Sequence, residues 1–183
     1  MENISKAFND PQMTPELEKT LTAIKDDLKA PFIPNFFHVW GNALESLQGI
    51  FPAMKHILMA GSLDRKLKEM IILAISSNNN CDYCMATHQS FCTMMGVSEE
   101  TITTLKTTYQ LPESSSEKDQ AAVKFAVQLS LDSKSGTPEN IAELHALGFA
   151  KEDIFEIIAM SGMSVFYNHL ANATQINIDD DLL

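Results

Sequence analysis

The segment that most constrains the fold is residues 64–77, DRKLKEMIILAISS. Its first turn is charged, but the stretch from Met70 to Ile75 would place apolar residues on every side of a helix. Such a helix has to be surrounded by other elements, so we expect it to be buried. No segment of the sequence shows the alternation of a half-buried strand, so the surrounding elements are also predicted to be helices. The predicted fold class is all-α.

Capping signals and helical spacing predict the helices around this segment. Thr14 followed by Pro15 marks a helix start, and Ser98, Ser116 and Thr137 are further predicted N-caps. The predicted elements are a helix from Pro15 to about Leu28, a proline-punctuated connector (APFIPNFFHVWGN, 30–42), a helix from Leu44 to Gly61 kinked or broken at Pro52, a helix from about Cys81 to Gly96, and a last helix from about Lys151 to Ala173.

Charge and hydropathy exclude several function classes. The formal net charge is −11, which repels nucleic-acid phosphates and anionic lipid, so we expect neither nucleic acid nor a membrane as partner. The longest uncharged apolar run is too short to span a bilayer, and the N-terminus lacks the pattern of a secretory signal. We therefore expect a cytoplasmic protein. The terminal stretch IDDDLL (178–183) is predicted to be a solvated acidic tail.

The segment NNNCDYCMATHQSFC (78–92) holds all three cysteines. Zinc bound by Cys81, Cys84, His88 and Cys92 is disfavoured by geometry. On one helix, Cys84 and Cys92 lie two turns, about 12 Å, apart. Two sulfurs on one zinc ion must lie within about 4 Å of each other. We therefore expect no metal, and we interpret Cys92 as a buried core cysteine.

A redox pair accounts for more of the pattern. Cys81 and Cys84 fall at a predicted helix start, where unpaired N–H groups and the helix dipole favour the reactive thiolate. His88 follows Cys84 by one turn, with side-chain roots about 6 Å apart, and could take its proton as a base. Glu69 has two interpretations on spacing alone. It either orients His88 or lies on the surface paired with Lys66 or Arg65.

The stretch KEMIILAISSNNNCDYCMATH (68–88) resembles the core motif of the carboxymuconolactone decarboxylase and alkylhydroperoxidase D superfamily, in its peroxidase-related branch. The resemblance implies an all-helical fold with a helical hairpin carrying the Cys-x-x-Cys motif, and a homo-oligomer, trimeric or hexameric. It also implies an N-terminal helical extension (1–33), a family domain (34–176) and an acidic tail (177–183). The matching residues are Glu69, Ser76, Asn79, Cys81, Tyr83, Cys84 and His88.

In the alkylhydroperoxidase D branch, the same resemblance implies specific roles. Cys84 attacks peroxide, Cys81 resolves the sulfenic acid as a disulfide, His88 is the base and Glu69 is its relay partner. The expected substrate is a hydroperoxide or small disulfide, reduced with electrons from a dithiol donor and without a cofactor. Two alternatives stay open: a redox-sensing or protein-binding module, and a decarboxylase-like enzyme on the same scaffold.

Two positions depart from the family pattern. Asn80 stands where glycine often precedes the first cysteine, but asparagine tolerates left-handed backbone angles, so we expect the turn to be kept. Tyr83 lies between the cysteines, where the family's peroxidases carry a second histidine. A weaker proton relay follows from this replacement.

Overall fold

In the computed structural model, which describes residues 7–182, the secondary structure is helical and those residues contain no β-strand. The predicted all-α fold class is confirmed. Residues 1–6 of the predicted N-terminal extension, and residue 183 of the predicted tail, lie outside the described residues. The α-helices are α1 (Pro15–Leu28), α2 (Asn35–Trp40), α3 (Leu44–Met59), α4 (Arg65–Asn78), α5 (Asp82–Met94), α6 (Glu99–Thr108), α7 (Glu117–Leu131), α8 (Pro138–Ala146) and α9 (Lys151–Thr174).

Helix α4 is the centre of the fold. Asp64 caps its first turn by accepting hydrogen bonds from the backbone N–H of Lys66 and Leu67, and every residue from Leu67 to Ser77 is buried. It packs against α5, α6, α7 and α9. The expectation that this segment is buried on all sides is confirmed. Because α5 packs on α4, residues at equivalent heights on these two helices lie close together.

A buried lysine on α4 joins three helices at one end of the core. Lys68 is 1% exposed, and its Nζ donates to the carbonyl of Ile57 at 2.8 Å and pairs with Glu156 Oε2 at 2.6 Å. Glu156 also accepts a hydrogen bond from the backbone N–H of Ser62 at 2.8 Å. The buried charge is therefore compensated, which is the condition for burying it without a large loss of stability.

The predicted N-caps are present. Thr14 Oγ1 accepts from Leu17 N at 3.2 Å, and Ser98, Ser116 and Thr137 each cap the helix that follows them. Each side chain satisfies one of the N–H groups that a helix start leaves without an intrahelical partner.

Two expectations about local structure, a connector without a helix and a break at Pro52, were wrong. The predicted connector contains α2 and a 3₁₀ turn at Gly41–Ala43, because burial of Phe37, Val39 and Trp40 stabilises a helix too short to persist alone. Helix α3 continues through Pro52 without a break. The packing of its buried face offsets the hydrogen bond that proline cannot donate.

The acidic tail also differs from the prediction. Asp179 is 5% exposed, and its carboxylate accepts hydrogen bonds from the N–H of Asn35 and the hydroxyl of Tyr83, both at 2.8 Å. These bonds replace the water that a solvated carboxylate would bind. Among residues 7–182, no helix combines the length and the apolar character needed to cross a lipid bilayer.

Candidate redox site

The turn between α4 and α5 sets the position of the first cysteine. Asn80 has φ +52°, in the left-handed region, as expected for a residue standing where glycine is common. The N–H of Cys81 donates to the carbonyl of Ser76 at 2.9 Å, which closes the C-terminal end of α4. Cys81 is then the N-cap of α5, so the Cys-x-x-Cys motif occupies the first turn of that helix.

Cys81 and Cys84 are joined by a disulfide bond, with their Cα atoms 5.3 Å apart. The N–H of Cys84 points at Cys81 Sγ from 3.4 Å. The two residues are 0% and 5% exposed. They share an apolar cluster with Val39, Ala171 and Ile176, to which Phe36 adds a partly buried ring. The structure therefore describes the oxidised form of the pair, enclosed by other parts of the chain.

An amide network from α9 fixes the same turn. Asn168 is 1% exposed; its Nδ2 donates to Ser76 Oγ at 3.0 Å, and its Oδ1 accepts from Asn79 Nδ2 at 2.9 Å. Asn172 Nδ2 donates to the carbonyl of Asn79 at 3.1 Å. Asn168 and Asn172 lie one turn apart on α9. They bond between helices and hold the turn against α9.

Glu69 on α4 is fully buried and lies between two nitrogen-bearing groups. Its Oε2 is 2.6 Å from His88 Nδ1, and its Oε1 accepts a hydrogen bond from Arg65 Nη2. Burial alone would raise the pKa of Glu69. The charges and hydrogen bonds of His88 and Arg65 outweigh that effect, so its pKa lies below the usual value. The two alternatives left open by the sequence are combined: Glu69 contacts both His88 and Arg65, and it is not on the surface.

The contact with Glu69 defines the tautomer of His88. An ionised carboxylate only accepts hydrogen bonds, so Nδ1 carries the proton. In the neutral ring, Nε2 is then the acceptor. His88 lies on α5 one turn after Cys84, and its side chain is 17% exposed. The imidazole is thus held by Glu69 through one nitrogen and has the other nitrogen left to accept a proton.

Cys92 is a free, fully buried thiol. Burial, together with the charge of Glu69, raises its pKa to about 12, so it stays protonated at neutral pH. The interpretation of Cys92 as a core cysteine is confirmed. No group of three or more His, Cys, Asp or Glu side chains within the part of the chain that the structure describes is arranged to hold a metal ion.

Sequence reasoning missed the partners of Tyr83. Its hydroxyl donates to Asp179 Oδ2 at 2.8 Å and accepts from the N–H of Phe36 at 3.2 Å. Burial, reinforced by the Asp179 carboxylate, raises the pKa of Tyr83, so the hydroxyl keeps its proton. One aspartate in an acidic run gives no periodic signal. Only the three-dimensional fold brings Asp179 to the cysteine helix.

The fold and the site define an all-helical protein with a Cys-x-x-Cys pair at a helix N-terminus, followed one turn later by a histidine that is bonded to a buried glutamate. Residues 45–128, which contain all four of these side chains, match the model of the carboxymuconolactone decarboxylase family. This match, which spans 84 of the 183 residues, supports the resemblance of the chain to the carboxymuconolactone decarboxylase and alkylhydroperoxidase D superfamily.

Solved structures share this fold over nearly the whole chain. An uncharacterized peroxidase-related protein from Silicibacter sp. TM1040 is 20% identical, with a TM-score of 0.83 over 95% of this chain and 90% of its own. A peroxidase-related protein with an alkylhydroperoxidase AhpD core, from Ralstonia eutropha JMP134, is 20% identical, with a TM-score of 0.82 over 93% and 88%.

A third similar structure is a cysteine-to-alanine variant of the debrominase Bmp8 in complex with 2,3,4-tribromopyrrole. It is 22% identical, with a TM-score of 0.74 over 94% of this chain and 92% of its own. At these identities the similarity concerns the fold. No curated protein matches the sequence.

Proposed function

We propose that this protein is a thiol-dependent oxidoreductase that reduces hydroperoxides, or exchanges disulfides, through Cys81 and Cys84. One observation carries the proposal: the two cysteines form a disulfide in the first turn of α5, one turn before a histidine that is bonded to a buried carboxylate. A pair that only packed the core would need neither this position nor this histidine.

The reaction begins with the reduced pair and Cys84 as the attacking group. The helix N-terminus favours its thiolate, and Nε2 of His88 accepts the proton, directly or through one water. Cys84 Sγ then bonds to one oxygen of the hydroperoxide and the O–O bond breaks. The departing alkoxide takes the proton from His88 and leaves as an alcohol. Cys84 is now a sulfenic acid.

Cys81 completes the oxidation. Its thiol attacks the Cys84 sulfur, the S–S bond forms, and the hydroxyl leaves with the thiol proton as water. Two electrons have passed from two thiols to one peroxide. A dithiol donor then reduces the disulfide through a mixed disulfide, and the donor itself becomes oxidised. With a small disulfide as substrate, Cys84 attacks one sulfur, the first substrate thiol leaves, and a mixed disulfide forms on Cys84; Cys81 then attacks Cys84, the second substrate thiol leaves, and the same Cys81–Cys84 disulfide results.

Glu69, with Arg65 beside it, orients His88 and stabilises its protonated form. Glu69 fixes Nδ1 and stabilises the imidazolium that forms when Nε2 takes a proton, as in other carboxylate–histidine pairs. Arg65 balances part of the carboxylate charge through Oε1. In this proposal Cys81, Cys84 and His88 act on substrate or on one another, and Glu69 is a positioning residue.

Two further expectations accompany the proposal. Phe155, Ile158 and Phe166 lie on one face of α9 and are 70%, 38% and 49% exposed. Such an apolar face fits contact with a second copy in a trimer or hexamer.

A cysteine pair that must be reduced after each cycle also fits the cytoplasm, where thiol donors are maintained.

Peroxide consumption in the presence of a dithiol donor tests the proposal. The wild-type protein and Cys92→Ala should consume an alkyl hydroperoxide at similar rates, whereas Cys84→Ser should not consume it. A protein that is inactive with every peroxide and disulfide, but changes its oligomer size on reduction, would be a redox sensor. Activity on a lactone acid that survives loss of both cysteines would indicate the decarboxylase-like alternative.

A further inference from the structure

The two cysteines of the candidate site are buried. Cys81 is 0% exposed and Cys84 5%, and Ile176 packs in the same apolar cluster as the pair. The nearby groove, about 510 Å³, runs along the outer face of α5 between Met85 and Met94 and is closed at one side by Ile178 and Leu182. The C-terminal segment 176–182 therefore lies against both the disulfide cluster and the groove.

Hydrogen bonds of Asn177, to Asn35 Nδ2 at 3.0 Å and to Asn9 Oδ1 at 2.8 Å, and the carboxylate of Asp179 hold this segment in place. Asp179 Oδ2 accepts from Tyr83 OH, and Oδ1 accepts from the N–H of Asn35, both at 2.8 Å. Tyr83 lies between the two cysteines, and Asn35 begins α2, whose residues Phe36 and Val39 pack in the same apolar cluster as the pair. Asp179 thus ties the segment to the two elements that enclose the sulfurs.

We infer that Asp179 is a specificity-determining residue, which keeps the 176–182 segment closed over Cys81 and Cys84 so that small reagents reach the sulfurs and bulky ones do not. The inference rests on the proposed function only in that the pair is reduced and oxidised during turnover. The inference predicts that small reagents reach the sulfurs of Cys81 and Cys84 more easily than large ones do.

Reduction of the disulfide tests this directly, because a small and a large dithiol carry out the same exchange. In each case a donor thiolate attacks one protein sulfur, the second donor thiol resolves the mixed disulfide, and two electrons pass to Cys81 and Cys84. The probes are dithiothreitol and reduced thioredoxin. Thiols are trapped with N-ethylmaleimide at successive times and counted by mass spectrometry of the intact protein and its peptides.

Two variants remove the hydrogen bond between Tyr83 and Asp179, one at each partner. Asp179→Ala removes the acceptor, and Tyr83→Phe removes the donor without changing the tail. Asp180→Ala is the matched control, since Asp180 is an exposed aspartate in the same segment. Loss of a hydrogen bond to a carboxylate should raise the population of the open segment, and with it the rate with thioredoxin, by about tenfold or more. The rate with dithiothreitol should change much less.

Three results would overturn the inference. The first is a ratio of the thioredoxin rate to the dithiothreitol rate that stays at the wild-type value in Asp179→Ala and Tyr83→Phe, when circular dichroism shows that both variants are folded. The second is an equal rise with both reductants. The third is the same change in Asp180→Ala. Failure of the proposed function gives a different result: the wild-type protein and the opened variants would all be reduced as described, yet none would consume a peroxide or exchange a substrate disulfide.

Discussion

His88 and Glu69 are 19 residues apart in sequence, yet His88 Nδ1 lies 2.6 Å from Glu69 Oε2. The contact joins the central helix to the helix that carries the cysteine pair. Because Glu69 is fully buried and also bonded to Arg65, its charge is held between two nitrogen-bearing groups. This arrangement gives the histidine a defined tautomer and leads to the first two predictions.

Replacing Glu69 by Gln should slow the oxidation of Cys84. The amide keeps the shape of the side chain but removes the charge that stabilises the imidazolium. We expect the single-turnover rate constant with an alkyl hydroperoxide to fall about 100-fold, within the range of general acid–base effects. Stopped-flow mixing of the reduced protein with peroxide measures it. Glu143→Gln, on the surface of α8, is the control. A Glu69→Gln rate constant equal to that of this control would show that Glu69 does not assist the proton transfer.

The lowered pKa of Glu69 also predicts how stability depends on pH. A carboxyl group with a depressed folded-state pKa contributes stability above its unfolded value of 4.5 and loses it as pH falls through the folded value. Between pH 5 and pH 3, the wild-type protein should therefore lose more stability than Glu69→Gln. Urea unfolding of both proteins at several pH values checks this. Parallel curves would mean that the carboxylate is not stabilised in the fold.

The backbone conformation at Asn80 predicts that a glycine variant is more stable than an alanine variant at this position. Its φ of +52° suits glycine better than any residue with a Cβ, and asparagine better than alanine. Asn80→Ala should reduce the free energy of unfolding by about 1 kcal/mol, whereas Asn80→Gly should leave it unchanged or raise it. Chemical denaturation gives both values. If alanine proved as stable as glycine there, the left-handed turn would not be required.

The exposed apolar face of α9 predicts self-association. Phe155 and Phe166 lie on one side of the helix and are 70% and 49% exposed. Phe155→Glu combined with Phe166→Glu should place charges in the contact and shift the protein toward monomer, measured by sedimentation equilibrium. Leu131→Glu, at a 65% exposed leucine on α7, should leave the assembly intact. Should only the Leu131 variant dissociate, the interface would lie on α7 instead.

Much of the fold could be predicted from local signals. The buried character of α4 followed from an apolar run with no polar face, and the caps at Thr14, Ser98, Ser116 and Thr137 followed from residue types that bond to a helix start. Helix α2 could not be predicted this way. Its stability comes from burial of Phe37 and Trp40 against other helices, and short segments carry no such information in their own spacing.

The site residues also include some that could be predicted from the sequence and some that could not. Cys81, Cys84 and His88 lie on one helix, so their relation follows from helical spacing. Glu69 lies on another helix, and spacing alone left it open between His88 and a surface partner. Asp179 was missed because its partners, Asn35 and Tyr83, are 144 and 96 residues away. The domain boundaries at 33 and 176 stay a prediction, and Asp179 links the predicted tail to Tyr83 and Asn35 of the predicted domain.

The central claim is that Cys81 and Cys84 act together as a two-electron pair. The most direct measurement uses the reduced Cys92→Ala protein, which retains only these two thiols. One equivalent of hydroperoxide is added, the remaining thiols are trapped with N-ethylmaleimide, and peptides are mapped by mass spectrometry. The account predicts loss of both thiols and a Cys81–Cys84 disulfide, with no disulfide after Cys84→Ser. Two thiols still free after exposure to peroxide would contradict it.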